Sequence, residues 1–270
     1  MPDLPIQYGP GLFTDLPQVG STVTAHASNN TKGSYTELVT SLGCDVSGLW
    51  IILNSSSGTT RFLVDLAIGS AGSEVVIGPD LVISNGPRQA QWYHLPVSLP
   101  EGTRIAARCQ STTGGSAISV FVAGIRTGLQ GPPAGGQIRS LCTDTATTDA
   151  LHVDPGAVVS TYGPWVTANA SLPADVVALF PVVTNLSNAA PTSQSATFKV
   201  DIGVGGAGSE VVIVDGLRFT SSTGGGFGPL PTVWLPVSVA AGSRVAVRGL
   251  AALTDATDRK FGIALYALTI

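Results

Sequence analysis

Charged side chains are scarce in this chain: 11% of its 270 residues are Asp, Glu, Lys or Arg, against about 25% in an average soluble domain. The net charge is −4, and no stretch interleaves Lys or Arg with aromatic residues. The electrostatic footprint of a nucleic-acid binder is therefore missing, and no nucleic-acid partner is expected. Long apolar runs are missing too. No segment offers about 18 consecutive apolar residues, so no membrane insertion is expected. The start, MPDLPIQYGPGLF, has neither the basic region nor the apolar core of a signal peptide, and a soluble protein not exported by that route is the expectation. The three cysteines, Cys44, Cys109 and Cys142, form no C-x-x-C pair and no zinc spacing. Their odd number leaves at least one thiol free, and they read as small buried apolar residues.

Histidine is equally rare, with only His26, His94 and His152 present. Nucleophilic catalysis needs Ser or Cys with a His and an acid converging on it. No G-x-S-x-G, H-E-x-x-H or paired-acid spacing occurs. Accordingly no catalytic residue, metal ligand or cofactor is assigned, and the chain is expected not to be an enzyme. Low charge has a second consequence. A monomer with so few charges has little to keep its sheet edges apart, so an assembly that covers part of the surface is expected.

What the chain does contain is itself, twice. FLVDLAIGSAGSEVVI at 62–77 and FKVDIGVGGAGSEVVI at 198–213 agree at 11 of 16 positions. LPVSLPEGTRIAAR at 95–108 matches LPVSVAAGSRVAVR at 235–248, and upstream Gly33, Tyr35, Ser41, Leu42 and Asp45 align with Gly163, Trp165, Ser171, Leu172 and Asp175. Two copies result, 20–126 and 144–270, each of ordinary domain size. GLQGPPAGGQ at 128–137 marks a Pro/Gly linker over 127–143. Within a copy, short β-branched or alternating runs such as TRFLVDLAI and SAISVFVAGI are broken every 8–12 residues by turn clusters, and no window sustains a helical period. The expectation is an all-β chain of two tandem antiparallel jelly-roll-like β-sandwiches preceded by an extended N-terminal arm.

Copy two contains a G-x-G-x-x-G, but Gly208 leads into SEVVIV, a strand pattern, where a dinucleotide loop would open a helix. The shared glycines Gly69/Gly205 and Gly72/Gly208 read as turn or bulge residues with positive φ. Asp65/Asp201 and Glu74/Glu210 recur in both copies, as do Arg104/Arg244 and Arg108/Arg248. They read as structural ion pairs that fix one sandwich edge. Binding is expected where the copies differ. SNGPRQAQWYHLP at 84–96 places Arg88, Gln89, Gln91, Trp92, Tyr93 and His94 in one candidate ligand loop, with flat aromatic faces beside planar hydrogen-bonding groups of the kind that hold sugars. Trp92 and Trp234, which both lie just before an LPVS run, also admit a plain structural role as sandwich plugs.

NTKGSY, VDLAIGSAGSEVVI and LPVSLPEGTRIAAR, with their second-copy versions, resemble a repeated β-module of tail, fibre and spike proteins of tailed bacteriophages and phage-like particles. The resemblance implies a virion structural protein, assembled in the host cytoplasm, with attachment to host-surface polysaccharide as a frequent duty. Its implied partners are other virion proteins and further copies of the chain, by analogy a homotrimer. A purely architectural decoration or tail-tip protein is the alternative. Copy two departs from the pattern where STYGPW replaces NTKGSY. Residues 1–19 carry four prolines and scattered apolar side chains, Leu4, Ile6, Tyr8, Leu12 and Phe13. They are too few for a core and read as an arm that docks on a partner.

Overall fold

A computed structural model describes residues 20–55, 60–83, 90–126, 136–184, 196–221, 233–253 and 260–270. The docking arm, Leu4 to Phe13 included, lies outside them. The described residues contain strands and no helix. The first copy runs β1 (Ser21–Thr24), β2 (Thr36–Val39), β3 (Val46–Asn54), β4 (Phe62–Ile68), β5 (Val75–Ile83), β6 (Ala90–Leu95), β7 (Ile105–Ser111) and β8 (Ala117–Arg126). Its two four-stranded antiparallel sheets have the orders β1-β8-β3-β6 and β2-β7-β4-β5. That is the jelly-roll arrangement, in which each sheet takes strands from both halves of the copy.

The second copy repeats it. After β9 (Gln137–Ser140) and β10 (Thr143–Asp144) come β11 (Asp149–Val153), β12 (Val166–Asn169), β13 (Val176–Thr184) and β14 (Ala196–Val204). β15 (Val211–Ser221), β16 (Leu235–Val239), β17 (Val245–Ala251) and β18 (Phe261–Thr269) complete it. β11-β18-β13-β16 faces β12-β17-β14-β15. The expected linker over 127–143 is corrected at its C-terminal end. β9 pairs with β18 and β10 with β11, so residues from 137 onward already belong to the second sandwich. QIRS alternates, but four residues behind a Pro/Gly stretch carry too little periodicity to be read as a strand.

Why the glycines recur is visible in the β4–β5 and β14–β15 hairpins. Gly69 and Gly205 have φ of 108° and 125°, and Gly72 and Gly208 have φ of 83° and 82°, values a side chain rarely tolerates. Between these hairpins and the adjoining strand sits a repeated carboxylate node. Asp65 on β4 opposes Arg108 on β7, and Asp201 on β14 opposes Arg248 on β17. Asp65 Oδ2 accepts from Arg108 Nε at 2.9 Å, and its Oδ1 accepts from Lys32 Nζ at 2.8 Å and the Asp80 amide at 3.0 Å. In copy two Asp201 accepts from Arg248, from the Gly216 amide at 3.0 Å and from Tyr162 OH at 2.7 Å. The variant STYGPW start thus keeps the node by another route: Tyr162 replaces the lysine, and the Arg248 guanidinium lies over the Tyr162 and Trp165 rings. Glu74 and Glu210 meet Arg104 and Arg244 at 3.2 and 2.7 Å.

Burial opposes ionisation of Asp65 and Asp201, but the cationic and hydrogen-bonding partners prevail and hold both carboxyls below the ordinary 3.8. Glu74 and Glu210 are likewise held below 4.5. Groups depressed in the folded state stabilise it above their unfolded pKa and lose that contribution as pH falls through the folded value. The melting temperature is therefore expected to hold down to about pH 4.5 and to drop steeply from about pH 4 downward. A series of thermal melts across that range, showing a flat profile instead, would remove these pairs from the account of stability.

The two sandwiches share apolar core. β5 and β6 are edge strands on the same side of the first sandwich, which is left open there. The outer face of β13 and β18, with Ala178, Phe180, Val182, Ala264, Tyr266 and Leu268, closes that side and joins the core of copy one. Tyr266 OH caps the β5 edge, accepting from the Val82 amide at 2.9 Å and donating to Asp80 O at 2.7 Å. Tyr93 OH donates to Val82 O, and the Tyr93 ring packs edge-on against Tyr266 with centroids 5.6 Å apart.

Candidate functional site

Of the six residues expected in one ligand loop, Arg88 and Gln89 lie outside the described residues. The other four are corrected: Gln91, Trp92, Tyr93 and His94 are on strand β6, paired with β3. Strand alternation separates them. Tyr93 points inward and is 1% exposed, consumed by the junction between copies. Trp92 and His94 point outward beside Trp50 of β3. The Trp50 and Trp92 rings meet edge-on with centroids 6.5 Å apart, and Trp50 and His94 lie 5.0 Å apart. Trp92 is 47% exposed, so it plugs nothing. His94 is half-buried, and burial lowers its pKa, keeping the imidazole neutral at neutral pH. Trp234 donates from Nε1 to His94 O at 2.8 Å and packs on Phe180, so of the two tryptophans it is this one that seals a junction.

Register shows what this face is. Trp50 and Phe180 occupy the same place in the two copies, as do Ala123 and Tyr266 opposite them. In copy two that face is buried against copy one. In copy one the equivalent face, carrying Trp50, Ile52, Trp92, His94 and Phe121, is partly open and aromatic. The free edge of copy two has changed as well: Arg218 and Val233 stand where Val82 and Tyr93 stand in copy one, and Arg218 is exposed. A charge on an unpaired edge discourages another sheet from adding there.

A second site lies between the copies and was not foreseen. The β10–β11 turn reaches back to the first sandwich, where Gln110 Nε2 donates to Thr145 O at 2.7 Å and Thr148 Oγ1 at 2.8 Å. Thr148 Oγ1 donates to Asn30 Oδ1 at 2.8 Å. Beside this tie is a cleft of about 800 Å³ lined by both copies, among them Asn30, Arg61, Thr143, Asp144, Thr147 and His152. Arg61 and Asp149 are buried and form an ion pair at its floor. Asp149 Oδ2 also lies 2.8 Å from His152 Nε2. With a carboxylate as acceptor, Nε2 must carry the proton, which leaves Nδ1 as an acceptor. Burial, reinforced by the charges of Arg61 and Lys260, lowers the His152 pKa. Cys142 lines the same cleft, but burial pushes its thiol up to about 12, so it is no nucleophile at neutral pH. Among the described residues no group of three or more His, Cys, Asp or Glu is arranged to hold a metal.

No family model and no curated protein matches the chain. Solved structures do. PNGF-II is 10% identical with a TM-score of 0.39 over 96% of this chain, which spans 64% of that protein's length. PNGase F, a glycosylasparaginase from Flavobacterium meningosepticum, is 10% identical with a TM-score of 0.34, covering 92% of this chain and 96% of that one. The tandem CBM22-1-CBM22-2 domain of Paenibacillus barcinonensis Xyn10C is 9% identical with a TM-score of 0.27, covering 91% and 86%. The expectation that the chain is not an enzyme is corrected by them, because the structures it matches include a glycosylasparaginase, and it is withdrawn. At such TM-scores no residue, substrate or activity passes from them to this chain.

Proposed function

We propose that this chain is a virion component of a phage or phage-like particle that holds host-surface polysaccharide on the open face of its first sandwich. The observation that carries the binding role is the contrast between copies: one sheet face is covered in the second and, among the described residues, partly open in the first, where Trp50 and Trp92 occupy it. Were the open face simply solvated, polar side chains would be the economical choice. Two indole rings set in a T, with a neutral imidazole beside them, instead suit the apolar faces and ring hydroxyls of a sugar chain. The resemblance of the duplicated motifs to phage fibre modules supports the virion setting.

Trp92 is exposed and takes no part in the core, so Trp92→Ala is expected to leave the melting temperature unchanged. Loss of a central aromatic anchor is worth about 2 kcal/mol, roughly a thirtyfold fall in affinity. An array of bacterial capsular and lipopolysaccharide glycans, probed with the multimerised chain and with Trp92→Ala, reads this directly. Binding unaffected by the substitution would overturn the assignment of the face, and binding to no glycan would favour the architectural alternative.

A further inference from the structure

We infer that the chain associates head to tail, with residues 1–19 of one copy seated on the free end of the second sandwich of another copy. The junction inside the chain supplies the pattern. β11 holds in the second sandwich the place of β1 in the first, each pairing with the last strand of its own sandwich. The turn just before β11 reaches back onto the end of the first sandwich, where Gln110 donates to Thr145 O and Thr148 Oγ1 and Asn30 accepts from Thr148. Residues 1–19 come just before β1, so by the same pattern their seat is the matching end of a second sandwich.

Hydrogen-bond register fixes which end that is. The Ser160 amide donates to Ala251 O at 3.0 Å and the Gly163 amide to Gly249 O at 2.9 Å, as the Asn30 and Gly33 amides donate to Ser111 O and Cys109 O at 2.8 Å in copy one. Gln110 is thereby matched by Leu250, Ser28 and Asn29 by Val158 and Val159, and Thr113 by Leu253. All four changes run from polar to apolar. Val158, Val159 and Leu253 are 64, 39 and 50% exposed, on two loops that the bond from Ser160 to Ala251 sets side by side. The change carries a local cost: Asn29 Oδ1 closes its loop on the Gly114 amide at 2.7 Å, a bond valine cannot make. An exposed apolar cluster of this kind marks an association site.

Matched chemistry names the occupant. The end of the first sandwich is polar and holds a polar turn, TDTATTD at 143–149, whereas the end of the second is apolar and residues 1–19 bring Leu4, Ile6, Tyr8, Leu12 and Phe13. A contact between two different surfaces of the same chain is heterologous, so it propagates into a ring or a fibre.

The test is sedimentation velocity of the full chain over a range of concentrations, where the average mass is expected to climb above the 27.4 kDa of one copy. An end variant restores the residues of copy one, Val158→Ser, Val159→Asn and Leu253→Thr, and an arm variant combines Leu4→Ser, Ile6→Ser, Tyr8→Ser, Leu12→Ser and Phe13→Ser. Each is expected to weaken association about a hundredfold, the effect of losing two or more buried apolar anchors, with an unchanged melting temperature. Mixing the two variants joins an intact arm to an intact end and is expected to give a dimer and nothing larger. Trp92→Ala is expected to associate like the unaltered chain, which keeps this contact separable from the aromatic face whatever the glycan array shows. An unaltered chain that stays a single copy throughout, a variant of either kind that associates normally, a mixture that forms no dimer, or association lost in Trp92→Ala would each overturn the inference.

Discussion

Tyr266→Ala is expected to destabilise the protein by about 3–5 kcal/mol, as removal of a fully buried aromatic ring from a packed core does. Tyr266 is 1% exposed, and its ring stands between Tyr93 and the β13–β18 face at the junction of the copies. Its hydroxyl takes the Val82 amide and gives to Asp80 O, so truncation also strips an edge strand of the groups that satisfy it. Tyr266→Phe separates the two contributions: it keeps the ring and leaves the Val82 amide unpaired, at a cost of about 1–3 kcal/mol. Urea unfolding followed by tryptophan fluorescence measures both. The alanine variant is further expected to lose the single cooperative transition, because the shared core is what couples the sandwiches. A variant that unfolds in one step with less than about 1 kcal/mol lost would mean that the copies fold independently of this contact.

Much of the scaffold could be read from the residues because its signals are local and occur twice. Alternating apolar runs between glycine turns define strands, and duplication of Asp65 with Arg108 as Asp201 with Arg248 marks a pair worth matching across a sheet. The misread parts depend on tertiary context. SNGPRQAQWYHLP begins with turn formers and reads as one loop, yet its second half pairs with β3, and alternation then sends Tyr93 and Trp92 to opposite sides. Burial of Tyr93 is brought about by the other copy, which local sequence does not report. The cleft eluded sequence for the opposite reason. Asp149 and His152 are neighbours on β11, but Arg61 is 88 positions from Asp149 and none of the three belongs to a repeated motif, so only the docking of the copies brings Arg61 to them.

Duplication also makes a graded prediction possible at the carboxylate nodes. Asp65→Ala and Asp201→Ala each leave a cation without its counter-charge in a largely buried setting, a change worth about 3–5 kcal/mol. The asparagine substitutions should divide the copies. Asp65 neutralises two cations, Lys32 and Arg108, and an amide that accepts from one turns its own donors toward the other. Lys32 retains Asp80 at 2.7 Å, which limits the damage without removing it. Asp201 faces a single cation, Arg248, whose guanidinium rests on two rings, Tyr162 and Trp165, 4.1 and 4.6 Å from their centroids, where Arg108 in copy one has Tyr35 alone at 4.8 Å. Those π faces persist when the charge on residue 201 is gone. Asp65→Asn is therefore expected to cost more stability than Asp201→Asn, and the double variant to show the sum, since the nodes share no partner. Equal losses in the two single variants would mean that the second ring in copy two adds nothing to the ion pair.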